Sequence, residues 1–146
     1  MCDAKNTGKP SEDAFYDAMK VEGKGTFIHR LADTNEIKGA FMTGFINSNP
    51  SDFVLTRNGV MEYAEVKSSS NGKASFSFSQ FTPKQNSSMI RQVAAGGRYT
   101  VYLHNLVTDR WYAVPAGLIL ETKTNGRKSL KWTEIEHLRW DLPTLI

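Results

Sequence analysis

Apolar residues near the start of the chain follow a helical period. Phe15, Ala18 and Met19 recur at spacings of three and four, which places them on one face of a helix. Ser11 is the predicted N-cap, because serine favours that position and acidic residues follow it in the first turn. The helix is expected to end near Val21, where a Gly-Lys-Gly sequence provides a stop.

The next part of the chain is predicted to hold three strands. The pattern of residues 26–31 indicates the first strand, and Asn58-Gly59 separates the other two. Both central residues of a type I′ hairpin turn need positive φ, which Asn and Gly tolerate. The connection formed by residues 32–49 is polar and has no clear period. Within it, only residues 40–46 could form a further strand or part of a projecting loop.

The Asn-Gly turn also predicts which residues face one another. With a two-residue loop, the residues that flank the turn are opposed, and counting outward along both strands places Asp52 opposite Glu65. Cross-strand partners lie on one face of a sheet with their Cβ atoms about 5 Å apart. Lys67 follows two residues later and shares the face of Glu65. The turn therefore predicts two carboxylates and an ammonium group at one place.

Beyond Lys67 the pattern predicts a short strand and a second helix. Residues 74–78 alternate between apolar and polar, with two phenylalanines on the same side. Thr82 and Pro83 suit an N-cap and the first helical position, and the helix should end near Ala95. Four residues form its predicted core stripe: Met89, Ile90, Val93 and Ala94.

The last part of the chain is predicted to begin with a hairpin. Residues 98–104 and 111–114 read as its two strands. A short helix, a turn at Asn125-Gly126 and a helix around residues 133–139 are expected in the tail.

Composition restricts the class of protein. A chain of 146 residues with 40% hydrophobic and 23% charged residues suits one globular domain with a real core. The net charge of +3 permits nucleic-acid binding without requiring it. The polar N-terminus lacks the pattern of a secretory signal, which favours a cytoplasmic protein. One cysteine cannot close a disulfide, and three scattered histidines give no zinc-finger spacing.

The predicted carboxylate pair suits phosphodiester hydrolysis. That reaction needs a metal to generate hydroxide, a group that orients water and a cation near the phosphate. Asp52 and one oxygen of Glu65 could bind Mg²⁺, and the main-chain carbonyl of Val66 could add another oxygen ligand. Lys67 would position or activate the attacking water. Glu12, near the start of the first helix, is a candidate fourth member of the site.

Each of these residues also has an interpretation without chemistry. An Asp…Glu-x-Lys spacing is common by chance, and Glu12 alone would be a surface residue that complements the helix dipole. Ser11 and Thr82 are best interpreted as caps. The predicted register favours the catalytic interpretation, because two neighbouring carboxylates repel each other unless a cation lies between them.

Four segments resemble a known superfamily of nucleases. Residues 49–53, Asn-Pro-Ser-Asp-Phe, and residues 65–67, Glu-Val-Lys, are similar to the P-D…E-x-K signature of the PD-(D/E)XK nucleases, with a serine inserted between proline and aspartate. Residues 75–85 and 95–103 resemble RecU-type Holliday junction resolvases, which have a serine- and phenylalanine-bearing strand, a helix that opens near a glutamine, and Gly-Gly before an apolar strand. The resemblance covers roughly residues 11–120.

The resemblance implies an α/β fold with a restriction-endonuclease-like core. The implied core is a mixed β-sheet flanked by helices in the order α-β-β-β-α-β, within one nuclease domain whose residues 121–146 form a C-terminal extension. Residue by residue, it makes Glu12 the acid of the first helix, Asp52 and Glu65 metal ligands, Lys67 the catalytic lysine and Gln85 the active-site glutamine of the second helix. The implied cofactor is Mg²⁺, for which Mn²⁺ is expected to substitute.

The expected partner is branched or double-stranded DNA. Four basic residues near the hairpin are candidates for phosphate contacts: Arg30, Lys73, Lys84 and Arg91. A four-way junction is two-fold symmetric, so a resolvase is expected to be a homodimer with two active sites. The residues 32–49 would lie where RecU-like proteins project a stalk toward the junction. The expected protein is thus a bacterial or phage resolvase of DNA recombination. The alternatives are a nicking or restriction-like nuclease of the same superfamily and a non-catalytic DNA-binding module.

Overall fold

A mixed six-stranded sheet forms the centre of the protein. The computed structural model describes residues 8–32, 49–70 and 72–143. The helices and strands are, in chain order, α1 (Lys9–Val21), β1 (Thr26–Arg30), β2 (Phe53–Arg57), β3 (Val60–Ser69), β4 (Ser75–Ser77), α2 (Pro83–Ala94), β5 (Tyr99–Asn105), β6 (Arg110–Pro115), α3 (Ala116–Thr124), β7 (Ser129–Lys131) and β8 (Arg139–Trp140). Two 3₁₀-helices, Phe78–Gln80 and Trp132–Leu138, follow β4 and β7.

The topology agrees with the predicted α/β class and core order. The sheet has the strand order β1-β2-β3-β5-β6-β8, and β4 pairs with β7 in a separate two-stranded sheet. The first three strands are antiparallel neighbours, whereas β5 runs parallel to β3. The crossover from β3 to β5 carries α2, as a parallel connection requires. The short strand predicted for residues 74–78 is β4, which lies between β3 and α2 in the chain and outside the six-stranded sheet.

The hairpin of β2 and β3 has the predicted turn and register. Asn58 and Gly59 have φ of 52° and 83°, the positive values that a type I′ turn needs. The paired residues run from Arg57 opposite Val60 outward to Phe53 opposite Ala64, the last pair of the ladder. Since β2 begins at Phe53, Asp52 lies one residue beyond that ladder.

Two hydrophobic cores hold helices on the two faces of the sheet. On one face Phe15 and Met19 of α1 pack against Phe53 and Leu55 of β2. The other core contains Met89 of α2, together with residues of β5, α3 and the second 3₁₀-helix. Burial of each large apolar side chain contributes about 1.5–3 kcal/mol, so the sheet is a firm base for the residues at its edge.

The prediction of Ser11 as an N-cap was wrong. The first helix begins at Lys9, with Gly8 at the N-cap and Pro10 in the first turn, where a missing N–H has no cost. Ser11 therefore lies inside the helix and is only 2% exposed. Its hydroxyl bonds to a side chain of β5, His104, instead of capping.

The predicted core stripe of α2 was wrong in three of its four residues. Met89 is buried, but Ile90 is 53% exposed, Val93 is 36% exposed, and Ala94 is exposed as well. The helix is rotated so that Gln85, Met89 and Gln92 share the covered side. This side joins the apolar contact of Met89 with the core to the polar contact of Gln85 with Glu65.

The C-terminal part contains the predicted elements with one change of type. The short helix is α3, and Gly126 has φ of 85° at the predicted turn. The segment expected as a helix around residues 133–139 is the 3₁₀-helix Trp132–Leu138. The prediction for residues 40–46 lies outside the described residues. No described helix is long and apolar enough to cross a bilayer.

Candidate active site

All five predicted catalytic residues border one pocket. It lies where the first turn of α1, the start of β2, the second half of β3 and the start of α2 meet, and its volume is about 250 Å³. Its lining comprises Gly8, Glu12, Asp52, Glu65, Val66, Lys67, Ser68, Gln80 and Gln85. Residues from four elements, far apart in sequence, therefore converge on one place.

Asp52 is held by the main chain of the neighbouring strand. Its Oδ2 accepts a hydrogen bond of 2.9 Å from the Val66 amide, and its own carbonyl accepts one of 2.9 Å from the Leu31 amide. The residue inserted before it, Ser51, is buried and donates to the carbonyl of Phe53 at 2.7 Å. The inserted serine thus stabilises the bend that turns Asp52 toward Val66.

Glu65 is nearly inaccessible to water, and two side chains contact it. Its side chain is 3% exposed, and its Oε1 lies 3.9 Å from Nζ of Lys67. The same oxygen accepts a hydrogen bond of 3.0 Å from Nε2 of Gln85. The Lys67 ammonium also lies 5.7 Å from the centre of the Phe81 ring, within range of a cation–π contact. Lys67 is therefore held beside the acid, as the register predicts.

The start of α2 determines how the Gln85 amide is oriented. Thr82 and Gln85 form a capping box, in which the Thr82 hydroxyl accepts a hydrogen bond of 3.1 Å from the main-chain N–H of Gln85. The side-chain oxygen of Gln85, Oε1, accepts a hydrogen bond of 3.0 Å from the main-chain N–H of Thr82. Because that oxygen is taken by the cap, the NH₂ group is the part of the amide directed to Glu65.

The pocket concentrates negative charge. Burial, followed by repulsion from Asp52, raises the pKa of Glu12 to about 7, although Lys9 and Arg30 oppose the shift. The same two causes hold the pKa of Glu65 well above its usual range, against the attraction of Lys67. Asp52 also forms a hydrogen bond with Glu12 and one with Glu65. A hydrogen bond between two carboxyl groups requires one of them to be protonated. The three acids therefore repel one another when all are ionised.

The donor set fits a hard divalent cation. Mg²⁺ is usually bound by one or two carboxylates, with water and phosphate oxygens as the other ligands. Asp52 and Glu65 supply two carboxylates, and a cation between them would relieve the repulsion that raises the pKa of Glu65. Among the described residues, no three His, Cys, Asp or Glu side chains are arranged to hold a metal by themselves. Such a site would therefore depend on carbonyl, water and substrate oxygens as well.

Tyr99 belongs to the same region, although the sequence did not single it out. Its hydroxyl donates to the carbonyl of Pro50 at 2.6 Å, which holds the segment that leads into Asp52. Burial, Glu65 and Asp52 all raise the pKa of this phenol, so it stays protonated as a donor. A tyrosine at the start of a strand reads as core, and only the fold shows its hydroxyl near the acids.

A hydrogen-bonded chain that begins in the interior anchors the first turn of α1. The Ser11 hydroxyl lies 2.8 Å from Nδ1 of His104, whose Nε2 lies 2.8 Å from Oδ1 of Asp109. A carboxylate only accepts, so a neutral His104 carries its proton on Nε2 and accepts the Ser11 hydroxyl proton at Nδ1. The imidazole is stacked on Trp111 with a centroid distance of 4.2 Å. This chain fixes the turn that carries Glu12 against β5.

The four predicted phosphate contacts do not form one surface. The Arg30 guanidinium pairs with Asp13 at 2.7 Å and lies 4.7 Å from the centre of the Tyr16 ring, so it stabilises α1 against β1. Lys84 and Arg91 are exposed on α2. Lys73 follows β3 and borders a second pocket.

The fold that presents this site is restriction-endonuclease-like, with a mixed central sheet flanked by helices. A solved structure with a similar fold is Hjc, a Holliday junction resolvase from the archaeal hyperthermophile Archaeoglobus fulgidus. The TM-score is 0.54 at 13% sequence identity, and the match covers 94% of this chain and 95% of the resolvase chain. No family model and no curated protein matches the chain in sequence. The similarity at this level of identity concerns the fold.

Proposed function

We propose that this protein is a Mg²⁺-dependent endodeoxyribonuclease of the PD-(D/E)XK type. One observation carries the proposal: Asp52 and Glu65 meet in a pocket with Lys67 beside them, at an edge of a restriction-endonuclease-like sheet. Two acids, a lysine and a pocket open to a large substrate are what metal-assisted phosphodiester hydrolysis needs. A purely structural role for three mutually repelling carboxylates would only destabilise the fold.

Each residue then has a role that its contacts support. Asp52, one oxygen of Glu65 and the Val66 carbonyl would hold Mg²⁺, with Mn²⁺ as a substitute. When bound, Mg²⁺ would lower the pKa of a coordinated water and stabilise charge on the phosphate. Lys67 orients the attacking water, and Gln85 orients Glu65 through the 3.0 Å hydrogen bond. Glu12, with a pKa of about 7, can accept a proton at neutral pH.

The proposed substrate is branched DNA, with the four-way junction as the preferred form. The fold is shared with a Holliday junction resolvase, and the sequence segments described above resemble RecU-type resolvases. Symmetric cleavage of a two-fold symmetric junction requires two active sites, so a homodimer follows from the proposed substrate. Lys84 and Arg91, both exposed on α2, the helix that carries Gln85, would contact phosphates.

Cleavage of synthetic DNA tests the proposal. Wild-type protein should nick a four-way junction with Mg²⁺ and not with chelator, whereas Asp52→Asn should cut at least about a hundredfold more slowly, since it removes a metal ligand. Junction binding and folding should persist, because the substitution also relieves repulsion. Asp17→Asn is the matched control, an exposed acid of α1 that should cleave as wild type does.

Three results would contradict this function. Cleavage by Asp52→Asn at the wild-type rate would show that the pocket is not the catalytic site. Equal cleavage of linear, flapped and four-way DNA would replace the resolvase with a nuclease of broader specificity. Binding of DNA without cleavage in any metal would favour a non-catalytic module.

A further inference from the structure

A second pocket lies at the same end of the sheet as the acidic site. Its volume is about 250 Å³. It is formed by the turn after β3, the turn between β5 and β6, and the 3₁₀-helix Trp132–Leu138. Its lining comprises Gly72, Lys73, Asn105, Val107, Thr108, Arg110, Tyr112, Trp132, Thr133 and Glu136.

The two pockets are close neighbours in the sheet. Ser68 borders the acidic pocket, and the next residue of β3, Ser69, pairs with Asn105, which borders the second one. One residue along a strand is ~3.3 Å and one strand spacing is ~4.8 Å. A DNA strand, which advances ~3.4 Å per nucleotide, covers such a span within a few nucleotides. The second pocket lies at the carboxyl ends of the parallel strands β3 and β5, where α/β sheets commonly bind ligands, and the acidic pocket borders the second half of β3 just before that end.

The second pocket carries cations above an apolar floor. Arg110 is exposed, and within the described ranges its side chain has no ion pair or hydrogen bond. Lys73 lies across the pocket, where its carbonyl accepts a 3.1 Å hydrogen bond from the Trp132 indole. Trp132 is partly exposed, and Val107 is 61% exposed. A planar guanidinium binds phosphate through paired donors, and apolar and aromatic surface accepts sugars and bases.

The acids of this region have partners of their own. Glu136 borders the pocket and pairs with Arg139 at 3.1 Å. Asp109 precedes Arg110 and is bonded to His104 at 2.8 Å. Among the described residues that line the pocket, Arg110 is thus a cation without an acidic partner, in contrast to the cluster of acids in the pocket beside it.

We propose that this second pocket binds the continuing strand of the DNA substrate, with a backbone phosphate on Arg110 and Lys73 and an adjacent sugar or base against Val107 and Trp132. The inference rests on the proposed nuclease function and adds to it the path of the strand away from the scissile phosphate. Three of the ten lining residues, Trp132, Thr133 and Glu136, come from the tail, which the resemblance to RecU-type proteins does not cover. The pocket would thereby determine how many nucleotides on one side of the cut are held by the protein.

Charge reversal with a matched control tests the inference. The affinity of a labelled four-way junction is measured with chelator present, so that catalysis plays no part. Arg110→Glu should weaken binding about tenfold and make the dependence of log affinity on log salt shallower by about one. Arg98→Glu has the same charge change on an exposed arginine just before β5, at the opposite end of the sheet, and should change affinity less than about twofold. Arg110→Lys should keep the wild-type salt dependence.

The outcomes separate the two proposals. If wild type binds and cuts the junction while Arg110→Glu and Arg98→Glu bind equally, the second pocket is not on the strand path, although the nuclease function stands. If wild type binds no DNA, both proposals fail. Photocross-linking with single 5-iodouracil substitutions gives a second readout. Nucleotides within a few positions of the cut should link to the peptide containing Trp132, and cross-links only to other peptides would overturn the assignment.

Discussion

At the scale of single residues, the three acids of the pocket lie close together and partly buried. By itself this arrangement does not stabilise the folded protein. Glu65 is buried next to Asp52, Glu12 lies near both, and the Lys67 ammonium lies 3.9 Å from Glu65. A fold optimised for stability alone would place an apolar side chain at such a buried position. A bound divalent cation would relieve this repulsion.

Glu12 provides a test of that repulsion through pH. Its pKa is raised from 4.5 to about 7 in the folded protein, so the native state binds a proton more tightly than the unfolded chain. Without divalent metal, the free energy of unfolding should therefore fall as pH rises from about 4.5 to 7, because the native carboxyl must ionise against burial and Asp52. Glu65 acts in the same direction.

Denaturant unfolding in chelator at several pH values across that range measures the effect. Glu12→Gln should make the fall in stability less steep, while Asp17→Asn, an exposed acid of the same helix, should leave the pH dependence as it is in wild type. A stability that rises over this interval in the wild-type protein would show that Glu12 is not in the environment described here.

At the scale of elements, the start of α2 joins a helix cap to the site. Thr82 and Gln85 cap the helix, and the free end of the same Gln85 amide donates to Glu65. The two functions of Gln85 can be separated because its oxygen serves the cap and its nitrogen serves the acid.

Two substitutions make that separation. Thr82→Ala should lower the free energy of unfolding by about 1 kcal/mol through loss of the cap, with cleavage largely retained. Gln85→Glu keeps an oxygen for the cap but loses the donor and places a third acid beside Glu65, so cleavage should fall far more than stability. Equal loss of activity in the two variants would mean that Gln85 acts only as part of the cap.

The hairpin turn is the element that brings Asp52 to Glu65. Gly59 has φ of 83°, and a Cβ there would meet no atom within 4 Å, so the cost of Gly59→Ala is conformational. We expect the free energy of unfolding to fall by about 1–2 kcal/mol. Gly117→Ala is the matched control, since Gly117 is in the helix α3, also has open space, and should gain roughly 0.5–1 kcal/mol. Two changes of the same sign would contradict this account.

At the scale of the whole molecule, metal binding should be visible as stability. A cation that binds only the folded state raises the free energy of unfolding, by about 2.7 kcal/mol at 100 times its dissociation constant. The melting temperature of wild type should thus rise with Mg²⁺ concentration. Asp52→Asn should show little rise, because one of the two carboxylate ligands is lost, while Asp17→Asn should behave as wild type does. A shift of equal size in all three proteins would indicate nonspecific ion effects.

Packing around the whole sheet explains why the similarity to the resolvase is visible in the fold and not in the sequence. The resolvase with a similar fold shares 13% of its residues with this chain, yet nearly the full length of both chains superposes. A sheet with its core on both faces accepts many apolar side chains of suitable volume. The two acids and the lysine of the proposed site, Asp52, Glu65 and Lys67, are too short a pattern to identify a family by themselves.

The structural features that the amino-acid sequence determined by itself are local. Asn58-Gly59 specifies the hairpin, since a type I′ turn needs positive φ at both positions, and the period of two along β3 puts Glu65 and Lys67 on one face. Tertiary structure decided the rest, because contacts between distant segments have no periodicity to reveal them. The rotation of α2 toward Glu65, the burial of Ser11 against His104, and the meeting of Lys73, Arg110 and Trp132 in one pocket all arise from packing across the sheet.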